Sequence, residues 1–225
     1  MSTSTTGMDK TKKAKIFLWI LLGLIVVGGI VGFTLMKNSL TAAEPTDGGQ
    51  VVRENSRVLS QAPDEKAQFV EFLDFECESC LAAYPFVEEL RAEYGDTVTF
   101  INRYFPLPGH KNSMNAALSV EAAAQQGQYE AMYRKMFDTQ KQWGESADDQ
   151  SALFRTYAED LGLDMAAYDA AVADPATKER IEADKADGQA LGVSGTPTFY
   201  LDGKLLEPKT LDEFRSLVEA AANGS

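Results

Sequence analysis

Residues 68–80 read QFVEFLDFECESC, and this stretch decides the fold. Its first eight residues, 68–75, are rich in β-forming side chains and predict a buried strand. The only two cysteines of the chain, Cys77 and Cys80, follow directly, and residues 77–94 have the apolar spacing of a helix. The cysteines therefore stand where a strand runs into a helix.

The flanking segments extend this pattern into a fold. Residues 97–107 predict a second strand, so the body opens with a β–α–β unit whose two strands are parallel. Residues 198–201 and 204–206, joined by an Asp-Gly turn, predict a hairpin. A capping box formed by Thr210 and Glu213 predicts the last helix.

Between these halves, residues 112–188 predict a helical insertion. Ser146 and Asp149 resemble a capping box and predict one helix start. The Asp-Pro pair at 174–175 predicts another helix, which should end before Gly188. The order β–α–β, helices, β–β–α indicates an α/β fold with a central mixed sheet.

The first 50 residues differ in composition from the rest. Residues 1–15 carry four lysines and one aspartate, and residues 16–36 are uncharged and long enough to span a bilayer as a helix. The lysine bias predicts a cytoplasmic head, one transmembrane helix and an extracytoplasmic body in the cell membrane. A cleaved signal peptide is the alternative, although its apolar region is normally shorter. Residues 37–50 predict a flexible tether, and residues 51–225 form the folded body.

Composition excludes several classes of protein. The chain has 21 Lys and Arg against 34 Asp and Glu, a net charge of −13, which argues against nucleic-acid binding. Two cysteines and one histidine are too few for a zinc finger or an iron–sulfur cluster, so we expect no metal.

The spacing of the cysteines favours redox chemistry. Free N–H groups and the dipole at a helix N-terminus stabilise a thiolate, so the pKa of Cys77 should be low. Cys80 lies one turn further on, where it can close a disulfide with Cys77. A structural disulfide and half of an intermolecular metal site are the alternatives.

Two segments, FVEFLDFECESC at 69–80 and SGTPTFYLDG at 194–203, together resemble the thioredoxin superfamily. More narrowly, the chain is similar to the DsbA-type thiol-disulfide oxidoreductases, and residues 103–137 are similar to the start of their helical insertion. The resemblance implies a thioredoxin fold and a redox-active cysteine pair that needs no dissociable cofactor.

The resemblance also implies roles for individual residues. Pro197 matches the family's cis-proline beside the active-site disulfide, and Thr196 matches the residue whose backbone pairs with substrate. Glu71 matches a buried acid beneath the disulfide, where burial would raise its pKa and let it relay the proton of Cys80.

The dipeptide between the cysteines departs from the family's strong oxidants, which often have a histidine there. In this chain it is Glu78-Ser79, and a carboxylate beside Cys77 opposes a thiolate while Ser79 can donate a hydrogen bond. We therefore expect a milder oxidant. His110, the only histidine, matches a family-typical position and is expected to cap or pack rather than to react.

These observations predict an enzyme that introduces disulfides into exported cysteine-containing proteins. Its partner would be a membrane redox protein, either a quinone-linked oxidase or a reductase. A reductase or isomerase that uses the same site is the first alternative. A non-catalytic, membrane-tethered binding module of the same fold is the second.

Overall fold

A computed structural model describes residues 48–224. Within that range the chain folds as five strands and seven helices, and the strands form one mixed sheet. The elements are β1 (Arg57–Ser60), β2 (Ala67–Leu73), α1 (Glu78–Tyr94), β3 (Val98–Tyr104), α2 (Ser113–Ala124), α3 (Tyr129–Trp143), α4 (Ser151–Asp160), α5 (Met165–Ala173), α6 (Pro175–Ala190), β4 (Thr198–Leu201), β5 (Lys204–Leu205) and α7 (Leu211–Ala222).

The sheet has the order β1-β3-β2-β4-β5. Strands β2 and β3 are parallel, whereas β1 pairs with β3, β4 with β2, and β5 with β4 in antiparallel fashion. The predicted β–α–β and β–β–α units, the central mixed sheet and the helical insertion are thus confirmed as a thioredoxin fold. Strand β2 is central and leads into the loop that carries Cys77. Its neighbours β3 and β4 therefore fix the start of this loop from both sides.

The aromatic residues of β2 explain why the sheet is covered on both faces. Phe69 contacts Phe100, Phe199 and Phe214 on one face, with ring centroids 5.2, 5.4 and 5.9 Å away. Phe72 meets rings of the opposite face at 5.8 and 6.3 Å, namely those of Tyr200 and Phe105. Alternation along the strand directs these two side chains to opposite layers.

Two predicted helix boundaries were wrong. Helix α6 continues through Gly188 to Ala190, because the glycine lets the rings of Phe105 and Phe72 lie against the helix. A Cβ atom at this position would lie 2.7 Å from Phe105 Cδ2. The glycine therefore serves close packing and does not end the helix.

The capping box expected at Ser146 and Asp149 does not start a helix. Helix α4 begins at Ser151, whose N–H group donates to Asp149 Oδ1 over 2.7 Å, while Ser146 Oγ accepts from the N–H of Asp148 over 3.2 Å. The helix starts predicted at Asp174, before α6, and at Thr210, before α7, are confirmed by hydrogen bonds from helical N–H groups to these side chains.

The predicted membrane segment, residues 16–36, lies outside the described residues, as do the basic head and most of the tether. Within residues 48–224, no helix is both long and apolar enough to cross a membrane.

A buried ionic cluster joins the sheet to α6. Arg103, the next-to-last residue of β3, is 0% exposed and donates to Asp184 over 2.8 Å and to Asp187 over 2.5 Å. Its third nitrogen donates to the carbonyl oxygens of Gln50 and Val51 over 2.8 and 2.7 Å. The cluster thus holds residues 50–51 against the core.

Candidate active site

Cys77 is the N-cap residue of α1, and its thiol faces the loop before β4. Its Sγ lies 3.3 Å from the carbonyl oxygen of Thr196. Both cysteines are free thiols, and only 6% of Cys77 and 0% of Cys80 is exposed. The strand-to-helix junction thus leaves a small part of Cys77 accessible and buries Cys80 completely.

The surroundings of Cys77 stabilise its thiolate. A hydrogen bond from the Cys80 side chain lowers the pKa of Cys77 to about 5, and burial offsets part of this effect. The Thr196 side chain and the N–H groups of Cys80 and Ser79, at the start of α1, contribute in the same direction. At neutral pH Cys77 is therefore mainly a thiolate, although Glu78 stands beside it.

Cys80 has the opposite character. Burial is the main cause that raises its pKa well above that of a free thiol, and the neighbouring Cys77 and Glu71 raise it further. The two cysteines therefore hold different protonation states at the same pH. One is a nucleophile, and the other keeps its proton until a base takes it.

Glu71 lies on β2 behind the cysteines and is 2% exposed. Burial raises its pKa to about 8, with smaller contributions from the charges of Glu88 and Cys77. A carboxyl group with this pKa exchanges protons near neutrality, as a proton relay requires. Its electrostatic effect on Cys80 shows that the two groups interact, which fits the relay role that the resemblance implies.

The bond between Thr196 and Pro197 is cis, as the resemblance implies. The Thr196 carbonyl lies against Cys77 Sγ at the rim of the site. Thr198 Oγ1 donates to the Gly195 carbonyl over 2.8 Å and helps to close the loop. The structure therefore brings all the predicted cysteine, threonine and proline positions together.

Sequence reasoning missed the part that the acids beside Cys77 play in the loop. The alternation of a strand places Asp74 and Glu76 opposite Glu71, yet both are buried because the chain leaves the sheet after Leu73. Asp74 accepts hydrogen bonds from the Glu76 N–H group over 2.9 Å and from the Leu107 N–H group over 3.0 Å. This carboxylate therefore organises the active loop.

His110 is held in the same network. Its Nδ1 lies 2.7 Å from Asp74 Oδ2. The imidazole and the exposed carboxylates of Glu78 and Glu145 place ligand-type atoms within 4.8 Å of one another. Because Asp74 occupies one ring nitrogen and both glutamates face solvent, this group is a charge cluster at the mouth of the site.

Gln140, a buried residue of α3, was also missed. Its Nε2 donates to the carbonyl oxygens of Phe75 and Cys77 over 2.7 and 3.0 Å. A polar residue on the apolar face of an amphipathic helix was the available sequence signal. The contact ties the helical insertion to the cysteine loop.

An apolar groove of about 600 Å³ runs between α1 and the segment that leads into α7. Its lining includes Ala82 and Ala83, which follow Cys80 in α1, and Phe199, which follows the cis-proline loop. The groove is therefore lined by residues that follow the cysteine pair and the cis-proline loop in the sequence.

A family model described as thioredoxin matches residues 60–220. This range includes strands β2 to β5, the cysteine pair and the cis-proline loop. The chain belongs to the thioredoxin family.

Solved structures share this fold. A thioredoxin-like oxidoreductase from Silicibacter pomeroyi is 27% identical with a TM-score of 0.63, over 77% of this chain and 95% of that one. Oxidised BdbD from Bacillus subtilis is 21% identical with a TM-score of 0.65, over 79% and 98%. Wolbachia pipientis α-DsbA1 is 19% identical with a TM-score of 0.63, over 77% and 94%. The structural neighbours are thus DsbA-type proteins.

The curated proteins to which this chain is similar in sequence include Na⁺/H⁺ antiporters. The Na⁺/H⁺ antiporter NhaA 1 of Mycobacterium sp. strain KMS is 35% identical over 147 residues, which is 63% of this chain and 23% of the antiporter. NhaA of Herminiimonas arsenicoxydans is 36% identical over 143 residues, 64% of this chain and 22% of that one. The chain thus spans less than a quarter of the length of these relatives.

Proposed function

We propose that this chain is an extracytoplasmic thiol-disulfide oxidoreductase that introduces disulfides into exported proteins. The observation that carries the proposal is the unequal cysteine pair: Cys77 is a thiolate with a pKa of about 5, and Cys80 is a buried thiol behind it. A low pKa of the nucleophilic cysteine stabilises the reduced pair, and this makes the corresponding disulfide a stronger oxidant.

The reaction begins with the Cys77–Cys80 disulfide. A substrate thiolate attacks Cys77 Sγ, the Cys77–Cys80 bond breaks, and Cys80 leaves with the electron pair and takes a proton from Glu71. A second substrate thiolate then attacks the substrate sulfur of the mixed disulfide and releases the Cys77 thiolate. The substrate has lost two electrons, which the two cysteines hold.

The rim would position the substrate during this exchange. The backbone of Thr196 would pair with an extended substrate segment, and Pro197 would set its direction. The apolar groove beside Phe199 would take a hydrophobic side chain of the substrate. Glu78 and Ser79, both exposed, would modulate the thiolate from the helix side.

The cycle closes when another oxidant accepts the two electrons. We propose a quinone-linked disulfide generator in the membrane, reached by a single-pass anchor at residues 16–36. The similarity to segments of NhaA antiporters, which are membrane proteins, supports a site of action at a membrane. Neither a metal nor a dissociable cofactor enters the proposed cycle.

Measuring the reduction potential of the pair in the full-length chain against glutathione tests the direction of exchange. A value near or above about −180 mV would support disulfide donation. A value near or below about −250 mV would overturn it in favour of a reductase or isomerase. A disulfide that never equilibrates with glutathione would favour the binding module.

The variant Cys80→Ser tests catalysis in cells. Because the attacking thiol remains and the resolving thiol is removed, mixed disulfides should accumulate on Cys77. The matched control Cys77→Ser should trap little. An absence of adducts from both variants would contradict catalysis.

A further inference from the structure

Acidic residues flank the reactive cysteine along the chain. Asp74, Glu76 and Glu78 occupy every second position around Cys77, and Glu145 approaches Glu78 from the end of α3. Negative charges disfavour a thiolate, so their sum works against the low pKa of Cys77. A compensating cation near the thiol would remove this conflict.

The imidazole of His110 is the group that meets these acids. The basic neighbour Lys111 turns away and donates to the carbonyl oxygen of Ala147. The backbone N–H group of His110 donates to the Leu107 carbonyl oxygen over 3.2 Å, and the imidazole ring is bound to Asp74. The first contact fixes the main chain of the segment that follows β3, and the second fixes the ring.

Asp74 fixes the ring relative to the thiol as well. The Cys77 N–H group donates to the Asp74 carbonyl oxygen over 3.1 Å, so one residue holds both the cysteine backbone and the imidazole. The Asp74 side chain is 0% exposed, which protects this contact from solvent. A carboxylate that fixes a histidine ring also favours its protonated form.

The electrostatics agree with this geometry. Burial alone would lower the pKa of His110, but the hydrogen bond with Asp74 and the charges of Asp74, Cys77 and Glu76 outweigh it and raise the pKa. Because coupling between two sites is reciprocal, a thiolate that favours the imidazolium is itself favoured by the imidazolium.

We propose that His110 is a positioning residue of the active site: held by Asp74 as an imidazolium, it offsets the surrounding carboxylates and stabilises the Cys77 thiolate. This inference rests on the proposed function and adds a determinant of its direction. It replaces the expectation that His110 only caps or packs. By stabilising the reduced pair, the cation makes the Cys77–Cys80 disulfide more oxidising.

The redox step leaves His110 unchanged. Two glutathione thiols lose two electrons and two protons as their disulfide forms, and the Cys77–Cys80 bond breaks. Cys80 keeps one proton, the other passes to solvent, and Cys77 remains a thiolate beside the imidazolium.

The single histidine of the chain allows a test without mutation. The NMR signals of the imidazole are titrated with pH in the full-length protein, once with Cys77 and Cys80 reduced and once with them oxidised. We expect the pKa of His110 to be higher by about 0.5 to 1 in the reduced form, because only that form has the thiolate. Equal pKa values in both forms would overturn the proposal.

Two substitutions supply the complementary measurement. His110→Gln keeps a hydrogen-bonding side chain near Asp74 and removes the charge, so the pKa of Cys77 should rise and the equilibrium with glutathione should shift about 3- to 10-fold towards the disulfide. Glu78→Gln should shift both quantities in the opposite direction. An unchanged pKa of Cys77 in His110→Gln would contradict the role of His110.

The outcomes separate this inference from the proposed function. If the wild-type pair exchanges with glutathione and His110 has no effect, only the role of His110 fails. If the wild-type pair does not exchange at all, the oxidoreductase itself is refuted, and the role of His110 with it.

Discussion

Strands β3 and β2 each carry a buried ionisable group, but the surroundings of these two groups differ. Arg103 on β3 meets Asp184 and Asp187, which also pair with Arg180 and Arg53, so both buried carboxylates have basic partners. Glu71 on β2 forms no ion pair with any basic side chain among residues 48–224, and its pKa rises to about 8. Paired charges stabilise the fold, whereas the isolated carboxyl is left free to exchange a proton.

Removing Arg103 from its ion-pair cluster should have the largest effect on the free energy of unfolding. Arg103→Met would leave two carboxylates buried without their main partner, and we expect a loss of about 3–5 kcal/mol in the free energy of unfolding. Chemical denaturation would measure it. The half-exposed Arg134 offers the control, since Arg134→Met should cost less than about 1 kcal/mol. Equal losses would mean that burial is not the cause.

Neutralising the isolated carboxyl should stabilise the protein. Because the pKa of Glu71 is about 8 in the folded protein, folding at neutral pH adds a proton to this carboxyl, so its contribution to stability is complete below pH 4.5 and is lost as the pH rises to about 8. In the reduced protein, Glu71→Gln should therefore raise the free energy of unfolding by up to about 3 kcal/mol at pH 7 and by little at pH 4.

The surface residue Glu182 provides the control for this experiment. Glu182→Gln should change the free energy of unfolding by less than about 0.5 kcal/mol at both pH values. A stability gain for Glu71→Gln that is independent of pH would show that the carboxyl is ionised at neutrality. Glu71→Gln should also slow disulfide exchange, because Cys80 then loses its proton relay.

The loss of uncharged buried hydrogen bonds should change the free energy of unfolding less than a substitution of Arg103 or Glu71. Gln140→Leu would leave the carbonyl oxygens of Phe75 and Cys77 without their donor, and we expect a loss of about 1–2 kcal/mol. Denaturation of the reduced protein would measure this loss. The exposed residue Gln142, on the same helix, provides the matched substitution Gln142→Leu, which should have almost no effect.

The smallest effect is expected at an exposed cap. Asp164 accepts from the N–H groups of Ala166 and Ala167 at the start of α5. Asp164→Ala should cost about 1 kcal/mol, and Asp164→Asn should restore most of it because the amide oxygen can cap the helix. If the two variants lost equal stability, the cap would not be the source of the effect.

The contrast between paired and isolated charges also marks the limit of sequence reasoning. Local patterns predicted the strands, the β–β hairpin and the helix starts at Asp174 and Thr210, because each depends on neighbouring residues. Gly188 was misread because its role depends on rings far away in sequence. An arginine inside an apolar strand signals a buried partner, but local patterns do not identify Asp184 and Asp187.

The candidate site was predictable to a similar extent. The positions of Cys77, Cys80 and Thr196 followed from spacing and resemblance, since the motif itself places them. The contact between His110 and Asp74 depends on how the segment after β3 folds back over the cysteine loop. That path is set by tertiary packing, and spacing along the chain does not reveal it.

The distance along the chain between Cys77 and Thr196 has a consequence for synthesis. The two residues whose atoms meet at 3.3 Å are 119 positions apart. At about 5–20 residues per second, a ribosome needs about 6–24 s to add the second after the first. During that interval the new cysteine lacks the loop that completes its surroundings. The topology therefore delays full reactivity until the segment around Thr196 has been synthesised.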